Sequence, residues 1–317
     1  MKLPKRVIAL EEAFWIPATR EKYSPAAVAA LDRVSEGNLG DVGEERLRRM
    51  DEAGIDVQVL SHVSPGPQGF DKDTAVRIAR ESNDWLGQVV KSYPGRFYGF
   101  AALPTQDPGM AADELERTVK NYDFKGALVN GHTQGHFLDE KQYWVIFERA
   151  QELDVPVYIH PATLPAPVMD VYFKDYPELS GAAWGWAIDT GTHLLRLICS
   201  GMFDEYPKVK VIVGHMGELI PFHLKRIQRG IRLAQGRMKR TLPEYLHDNV
   251  FITTSGVFEH SSLVCAMSTL GIDNILFSVD DPFADNAEGV AFLKTAPVSM
   301  VDREKLAHIN AERILRI

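Results

Sequence analysis

Eight short runs rich in β-branched or aromatic residues, each separated from the next by a longer amphipathic stretch, constrain this chain more than any other feature. They are VIALE (7–11), DVQVLS (56–61), FYGFAA (97–102), GALVN (126–130), VPVYIH (155–160), VKVIVGH (209–215), VFITTS (250–255) and NILFSVD (274–280). Helical patterns fall at 41–53, 74–91, 108–121, 140–153, 185–203, 217–236, 257–270 and 301–314. In 74–91, Ala75, Ile78, Ala79, Trp85, Leu86, Val89 and Val90 form one apolar stripe that Pro94-Gly95 ends. Eight strand–helix alternations in 317 residues favour a (β/α)8 TIM barrel, an α/β fold in a single domain spanning 1–317. An open α/β sheet is the alternative, but neither GxGxxG nor GxxxxGK[ST] supports it. Two long connections, 16–40 after the first strand and 161–184 after the fifth, are expected over the carboxyl face.

A formal net charge of −8 opposes phosphate backbones and anionic membranes, so neither nucleic acid nor membrane is an expected partner. The run Val7-Ile8-Ala9-Leu10 ends at Glu11, too short for a signal-peptide core. Cys199 and Cys265 lie far apart without CxxC spacing and read as small hydrophobes, which fits a reducing, cytoplasmic setting.

Barrel active sites form where strands end, so the polar residues closing each strand are the candidates. The first strand ends at Glu11, the fifth at His160, the sixth at His215 with Glu218 three residues on, and the eighth at Asp280. Strand period two groups Ala9, Glu11 and Ala13 on one face, and these small neighbours point Glu11 inward while Glu12 goes to structural pairing. Glu11, His160 and Asp280 make a ligand set that neutralises one divalent metal ion, Zn²⁺ first, with Mn²⁺ or Mg²⁺ as alternatives. Each residue alone reads more often as a cap or a satisfied polar group than as a ligand; their joint placement carries the inference. His62 and His132 follow the second and fourth strands as possible pocket residues, whereas His193, His223, His247, His260 and His308 fall in helices or loops. Trp184 and Trp186 are candidates for aromatic stacking or for packing.

The segments ALEEAF (9–14), SPGPQG (64–69), AALPTQDP (101–108), KGALVNG (125–131), DVPVYIHP (154–161), SGMFDEYPKVKVIVGHMGE (200–218), TTSG (253–256) and ILFSVDDPF (275–283) resemble the amidohydrolase superfamily. The resemblance is strongest to its decarboxylase branch, which includes 2,3-dihydroxybenzoate, γ-resorcylate and salicylate decarboxylases and, more distantly, aminocarboxymuconate semialdehyde decarboxylase. It implies one divalent metal held by Glu11, His160 and Asp280, a catalytic Asp280 and a proton-relay pair of His215 and Glu218. It also implies a homodimer or homotetramer acting on a small aromatic carboxylic acid. Arg226 matches a substrate-holding position near a subunit boundary, and Phe14, Pro161 and Phe283 are expected to join it as substrate contacts. Ala13 stands where many members carry the second His of HxH, and where γ-resorcylate decarboxylases read EEHF; Asp281 replaces a frequent Trp or Ser. His62, Trp15 and His132 depart as well. The implied reaction is non-oxidative decarboxylation of a dihydroxybenzoate- or salicylate-type acid. A metal-dependent lactonase or amidohydrolase is the alternative, and a non-catalytic binding protein a further one that the intact ligand set disfavours.

Overall fold

A computed structural model describes residues 4–231 and 238–317, so the end of the helical pattern expected over 217–236 lies outside the described residues. The strands follow chain order as β1 Ile8–Phe14, β2 Val57–His62, β3 Phe97–Gly99, β4 Ala101–Ala102, β5 Ala127–Asn130, β6 Val157–His160, β7 Val211–Val213, β8 Val250–Thr253 and β9 Ile275–Leu276. All neighbours pair in parallel, and β3 and β4 are two halves of the third expected strand, interrupted at Phe100. Across that break, Phe100 N–H donates to the Leu60 carbonyl at 2.9 Å and Ala101 N–H to the Gly126 carbonyl at 2.8 Å. The first and last strands meet where Leu10 pairs with Ser278 and donates to the Phe277 carbonyl at 3.3 Å. Sheet edges are thereby joined into a barrel with the helices outside.

Alternation along the strands separates two apolar layers. Ile8, Leu10, Val57, Val59, Phe100, Leu128, Tyr158, Ile212, Phe251 and Leu276 pack together in the barrel interior, and Ala311, Ile314 and Leu315 of the C-terminal helix close its amino end. Val7, Ala9, Leu60, Phe97, Val129, Ile159, Val213 and Phe277 face the helices instead. Each large side chain buried this way contributes roughly 1.5–3 kcal/mol.

The helices start where short polar side chains cap them. Asp71 accepts from Thr74 N–H before Lys72–Ser92, Asp107 accepts from Met110 N–H before Pro108–Tyr122, and Asp285 accepts from Glu288 N–H before Asn286–Thr295. This last helix has no counterpart in the expected pattern, because Asn286 and Gly289 take two of the five places on its buried Asn286, Gly289, Val290, Phe292, Leu293 face. Glycine is needed there, since a Cβ at 289 would come within 3.0 Å of Val279 Cγ2 and 3.1 Å of Phe258 Cζ. Leu242–Asn249 is a second helix absent from the expected pattern, opened by a capping box between Thr241 and Glu244. Segment 16–40 contains helices Pro17–Arg20 and Pro25–Val34, and 161–184 is built of short helical turns. Among the described residues no helix is long and apolar enough to cross a membrane.

His62 ties segment 16–40 to the end of β2, its Nδ1 donating to the Val63 carbonyl at 2.9 Å and its Nε2 accepting from Thr19 Oγ1 at 3.0 Å. Burial lowers His62 from 6.5 to about 4, so it stays neutral. Its folded value lies below the unfolded one; the unfolded chain therefore binds a proton that the folded chain refuses, and stability falls as pH drops from about 6.5 towards 4. A His62→Asn variant should lose about 2 kcal/mol less than the wild type on acidification from about pH 7 to about pH 5, read by denaturant unfolding at each pH. Equal losses in the two proteins would refute this.

Candidate metal centre

Glu11 reaches the barrel mouth by a route different from the expected alternation. Ala9 packs in the outer layer and Leu10 in the interior, so strict period two would turn Glu11 outward. A bulge intervenes, because Ala9 pairs with Gln58 but Glu12 with Leu60, and Glu11 takes φ 66°. The extra residue lets two consecutive side chains, Leu10 and Glu11, enter the barrel. Glu12 has the expected structural role: it accepts from Ser278 Oγ at 3.2 Å, Val279 N–H at 3.0 Å and Asp281 N–H at 2.7 Å. Burial and the Asp281 charge push Glu12 up to about 8, against the pull of those backbone donors.

The Glu11 carboxylate is held from below. Its Oε2 accepts from Tyr158 OH, from Ser255 Oγ and from Thr253 Oγ1, the last at 3.2 Å. Burial and the Glu11 charge raise the Tyr158 phenol far above its usual range, so it remains a donor. Gly214 makes room, since a Cβ there would stand 2.9 Å from both Glu11 oxygens and 3.1 Å from Tyr158 OH. None of Tyr158, Thr253, Ser255 and Gly214 was among the expected site residues. Period two traced back from Tyr158 and Thr253 through the interior layer is the signal that points to them.

Glu11 Oε1, by contrast, is buried without a hydrogen-bond partner among the described residues. It faces His160 Nε2 at 3.4 Å and His215 Nε2 at 3.7 Å. These three ligand atoms lie within 4.8 Å of one another, and Asp280 Oδ2 is 3.9 Å from His215 Nε2. Both rings are fixed by their other nitrogen: His160 Nδ1 bonds to the Pro161 carbonyl at 2.6 Å and His215 Nδ1 to Glu218 Oε1 at 2.7 Å. That leaves both Nε2 atoms directed at one point, the arrangement that acceptors bonded to the far ring nitrogen give to metal-binding imidazoles. Left-handed backbone at His215, Met216, Glu218 and Leu219 folds Glu218 back under its histidine. Asp280 is likewise left-handed, at φ 79°.

Charge at the mouth is unbalanced. Burial disfavours a charged His215, yet the carboxylates of Glu218, Glu11 and Asp280 outweigh it and raise the imidazole to about 10. Burial and the Glu11 charge push Asp280 well above the carboxylate range, and burial raises Glu218. His160 is lowered, by burial first. A divalent cation answers this excess of negative charge, and the orphaned Glu11 Oε1 with two converging imidazole nitrogens fits one. The expected ligands Glu11 and His160 are thus brought together. His215, expected beside the metal, is as close to Glu11 as His160 nearly is, while Asp280 stands at the edge of the group.

The expected substrate contacts divide. Phe14 points away from the mouth: it packs in the outer layer and stacks on Trp85 at 5.5 Å, because an outward position follows the bulge. Pro161 holds the His160 ring through its carbonyl. Phe283 is half-buried against the rim cluster of Ala13, Trp15, Leu39 and Val63. Arg226 is exposed on helix Ile220–Gly230, with no hydrogen bond or ion pair to the cluster among the described residues. His62 is consumed in anchoring Thr19, and half-buried His132 bonds to the Thr163 carbonyl. Trp186 leans towards His160 at 6.4 Å between ring centres, whereas Trp184 is exposed. Cys199 and Cys265 are half-buried on the outer helices rather than fully buried. Asn130, another residue outside the expected set, lies beside His160 in the strand register, above Leu128 of the interior layer. Its Oδ1 is buried without a partner among the described residues.

Comparison with known proteins follows the same geometry. The amidohydrolase family profile matches residues 25–317. The gamma-resorcylate decarboxylase of Polaromonas sp. (strain JS666) is 39% identical over 324 residues, covering 98% of each chain. A crystal structure of dihydroxybenzoic acid decarboxylase from Polaromonas sp. JS666, with bound manganese and the inhibitor 2-nitroresorcinol, superposes with a TM-score of 0.89 at 37% identity, covering 98% of this chain and 97% of that one. The 5-carboxyvanillate decarboxylase of Sphingomonas paucimobilis gives 0.91 at 34% identity, covering 98% and 99%. A mouth of converging acids and imidazoles on a parallel barrel, a profile matched over most of the chain and a relative aligned end to end place this chain in the amidohydrolase family.

Proposed function

We propose that this chain is a metal-dependent, non-oxidative decarboxylase of an aromatic acid carrying a hydroxyl group ortho to its carboxylate. The buried, unpartnered Glu11 Oε1 facing two Nε2 atoms carries the metal part of this reading, and the decarboxylases aligned over 98% of the chain support the reaction. Glu11, His160 and Asp280 would hold the ion, with His215 lining the fourth side of the site. Mn²⁺ replaces Zn²⁺ as the ion we infer, since a related decarboxylase carries manganese and carboxylate-rich sites discriminate poorly among divalent ions. Bound there, the ion supplies positive charge that orients the phenolic and carboxylate oxygens and stabilises negative charge as it develops.

The remaining steps belong to side chains. Asp280 gives its proton to the ring carbon bearing the carboxylate, which avoids an aryl carbanion. The carbon–carboxylate bond then breaks, its electrons restore the aromatic ring, and CO₂ leaves. His215, fixed by Glu218 and 3.9 Å from Asp280, exchanges the proton that resets Asp280. Asn130, whose Oδ1 is buried without a partner beside His160, is positioned to accept a hydrogen bond from a polar ring substituent.

Exposed Val171, Tyr172, Tyr176, Leu179 and Trp184 lie on the connection after β6, and Leu219 and Phe222 follow β7 on the same rim. We infer that this apolar rim packs against a second copy in a homodimer or homotetramer, and that Arg226, one turn beyond Phe222, acts at that boundary.

Metal-replete protein should release CO₂ from salicylate or dihydroxybenzoates and lose that activity with chelator; hydrolysis of simple lactones without CO₂ release would overturn the reading. Asp280→Asn should lower kcat by at least about 10³-fold with the circular-dichroism spectrum retained, and near-normal turnover would remove Asp280 from the proton step. Gly214→Ala should displace the Glu11 carboxylate and lower bound metal per chain, as measured by elemental analysis after dialysis; unchanged stoichiometry would show that the cradle is not needed. Phe222→Asp should reduce the mass measured by light scattering towards that of the single chain, and an unchanged mass would exclude this rim as the interface.

A further inference from the structure

Asp281, the residue that departs from the common Trp or Ser, is buried directly behind the metal centre, and its partner is the fully buried Arg46. Arg46 lies on helix Glu44–Ala53, where nothing in the candidate chemistry requires a cation. Its guanidinium spans the end of β1 and the segment leaving β9. Nη2 donates to the Ala13 carbonyl at 2.9 Å, to the Asp281 carbonyl at 3.2 Å and to Asp281 Oδ2 at 2.5 Å, and Nε donates to the same Oδ2 at 3.1 Å. Asn286 Nδ2 holds the other Asp281 oxygen at 3.0 Å. Ala13 N–H also donates to the Asp281 carbonyl at 2.7 Å, so the two strand ends are bound both directly and through Arg46.

Ala13 is two residues past Glu11, and Asp281 immediately follows Asp280. Glu11 and Asp280 both occupy left-handed backbone, at φ 66° and 79°, which side chains of this kind adopt only where surrounding contacts enforce it. The Arg46 fork provides that enforcement at the carboxyl ends of β1 and of the segment leaving β9. We propose that Arg46, paired with Asp281, is a positioning residue that sets the separation of the carboxylates Glu11 and Asp280 and thereby the affinity of the site for a divalent cation. This proposal rests on the metal-site reading above. Only a planar, multidentate cation bridges two carbonyls and a carboxylate at once; an ammonium group at the same place supplies charge without that span.

The test is Mn²⁺ binding, followed by calorimetry and by the electron paramagnetic resonance spectrum of the bound ion, in three proteins, with Arg46→Met as a fourth for the comparison of stability. The wild type should bind one Mn²⁺ per chain. Arg46→Lys, which keeps the charge, should bind Mn²⁺ at least about tenfold more weakly and with an altered spectrum. The double variant Arg46→Met/Asp281→Leu removes both buried charges and is expected to recover thermal stability relative to Arg46→Met alone. Its Mn²⁺ affinity should nevertheless stay at least about tenfold below wild type. Wild-type affinity and spectrum in either Arg46→Lys or the double variant would show that the pair serves only the fold and would overturn the proposal. A wild-type chain that binds no Mn²⁺ would instead overturn the metal reading, and this proposal with it.

Discussion

A buried surplus of negative charge at one end of the barrel is the constraint on which the rest of the site depends. Glu11, Glu12, Glu218, Asp280 and Asp281 all approach the mouth, where water cannot solvate them freely. The structure answers each acid differently. Asp281 takes a guanidinium, Glu12 takes three hydrogen-bond donors on the segment leaving β9, and Glu218 takes His215. Glu11 is satisfied on one oxygen only. The high affinity of His215 for a proton expresses the same deficit of positive charge that a divalent ion would fill.

This arrangement needs backbone that ordinary strands do not supply. Left-handed residues occur at Glu11, His215, Glu218 and Asp280, the four acids and bases that sit at the bulge within β1, follow β7 and follow β9. Each exchanges a relaxed conformation for a side-chain direction, and the cost is borne by a barrel whose strands are locked on both sides. Gly214 shows how tight the packing becomes, because even a methyl group there would collide with the carboxylate it supports.

Much of the site was readable because barrel enzymes collect chemistry at strand ends, and Glu11, His160, His215 and Asp280 each end a recognisable run. The route by which Glu11 enters was not readable. Alternation placed it on the side of Ala9, which faces the helices, and only the one-residue bulge turns it inward. Tyr158 looked like an ordinary strand aromatic because its role arises from Glu11, 147 residues away. Phe14 was misjudged for the converse reason: nearness in sequence to a ligand says nothing of direction once a bulge has intervened. Helix Asn286–Thr295 was hidden because its buried face uses Asn and Gly, whose packing value exists only against Val279 and Phe258.

By itself, the sequence determined the strand count, the parallel order, the two long rim connections and the acids and imidazoles available for chemistry. These follow from local periodicity and from which residue types can end a strand. Tertiary structure alone decided which atoms meet: the orphaned Glu11 Oε1 between two Nε2 atoms, and the Arg46 fork across Ala13 and Asp281. Such contacts join residues from 33 to 235 positions apart, and their geometry is set by barrel closure and a single bulge, neither of which leaves a periodic trace in the chain.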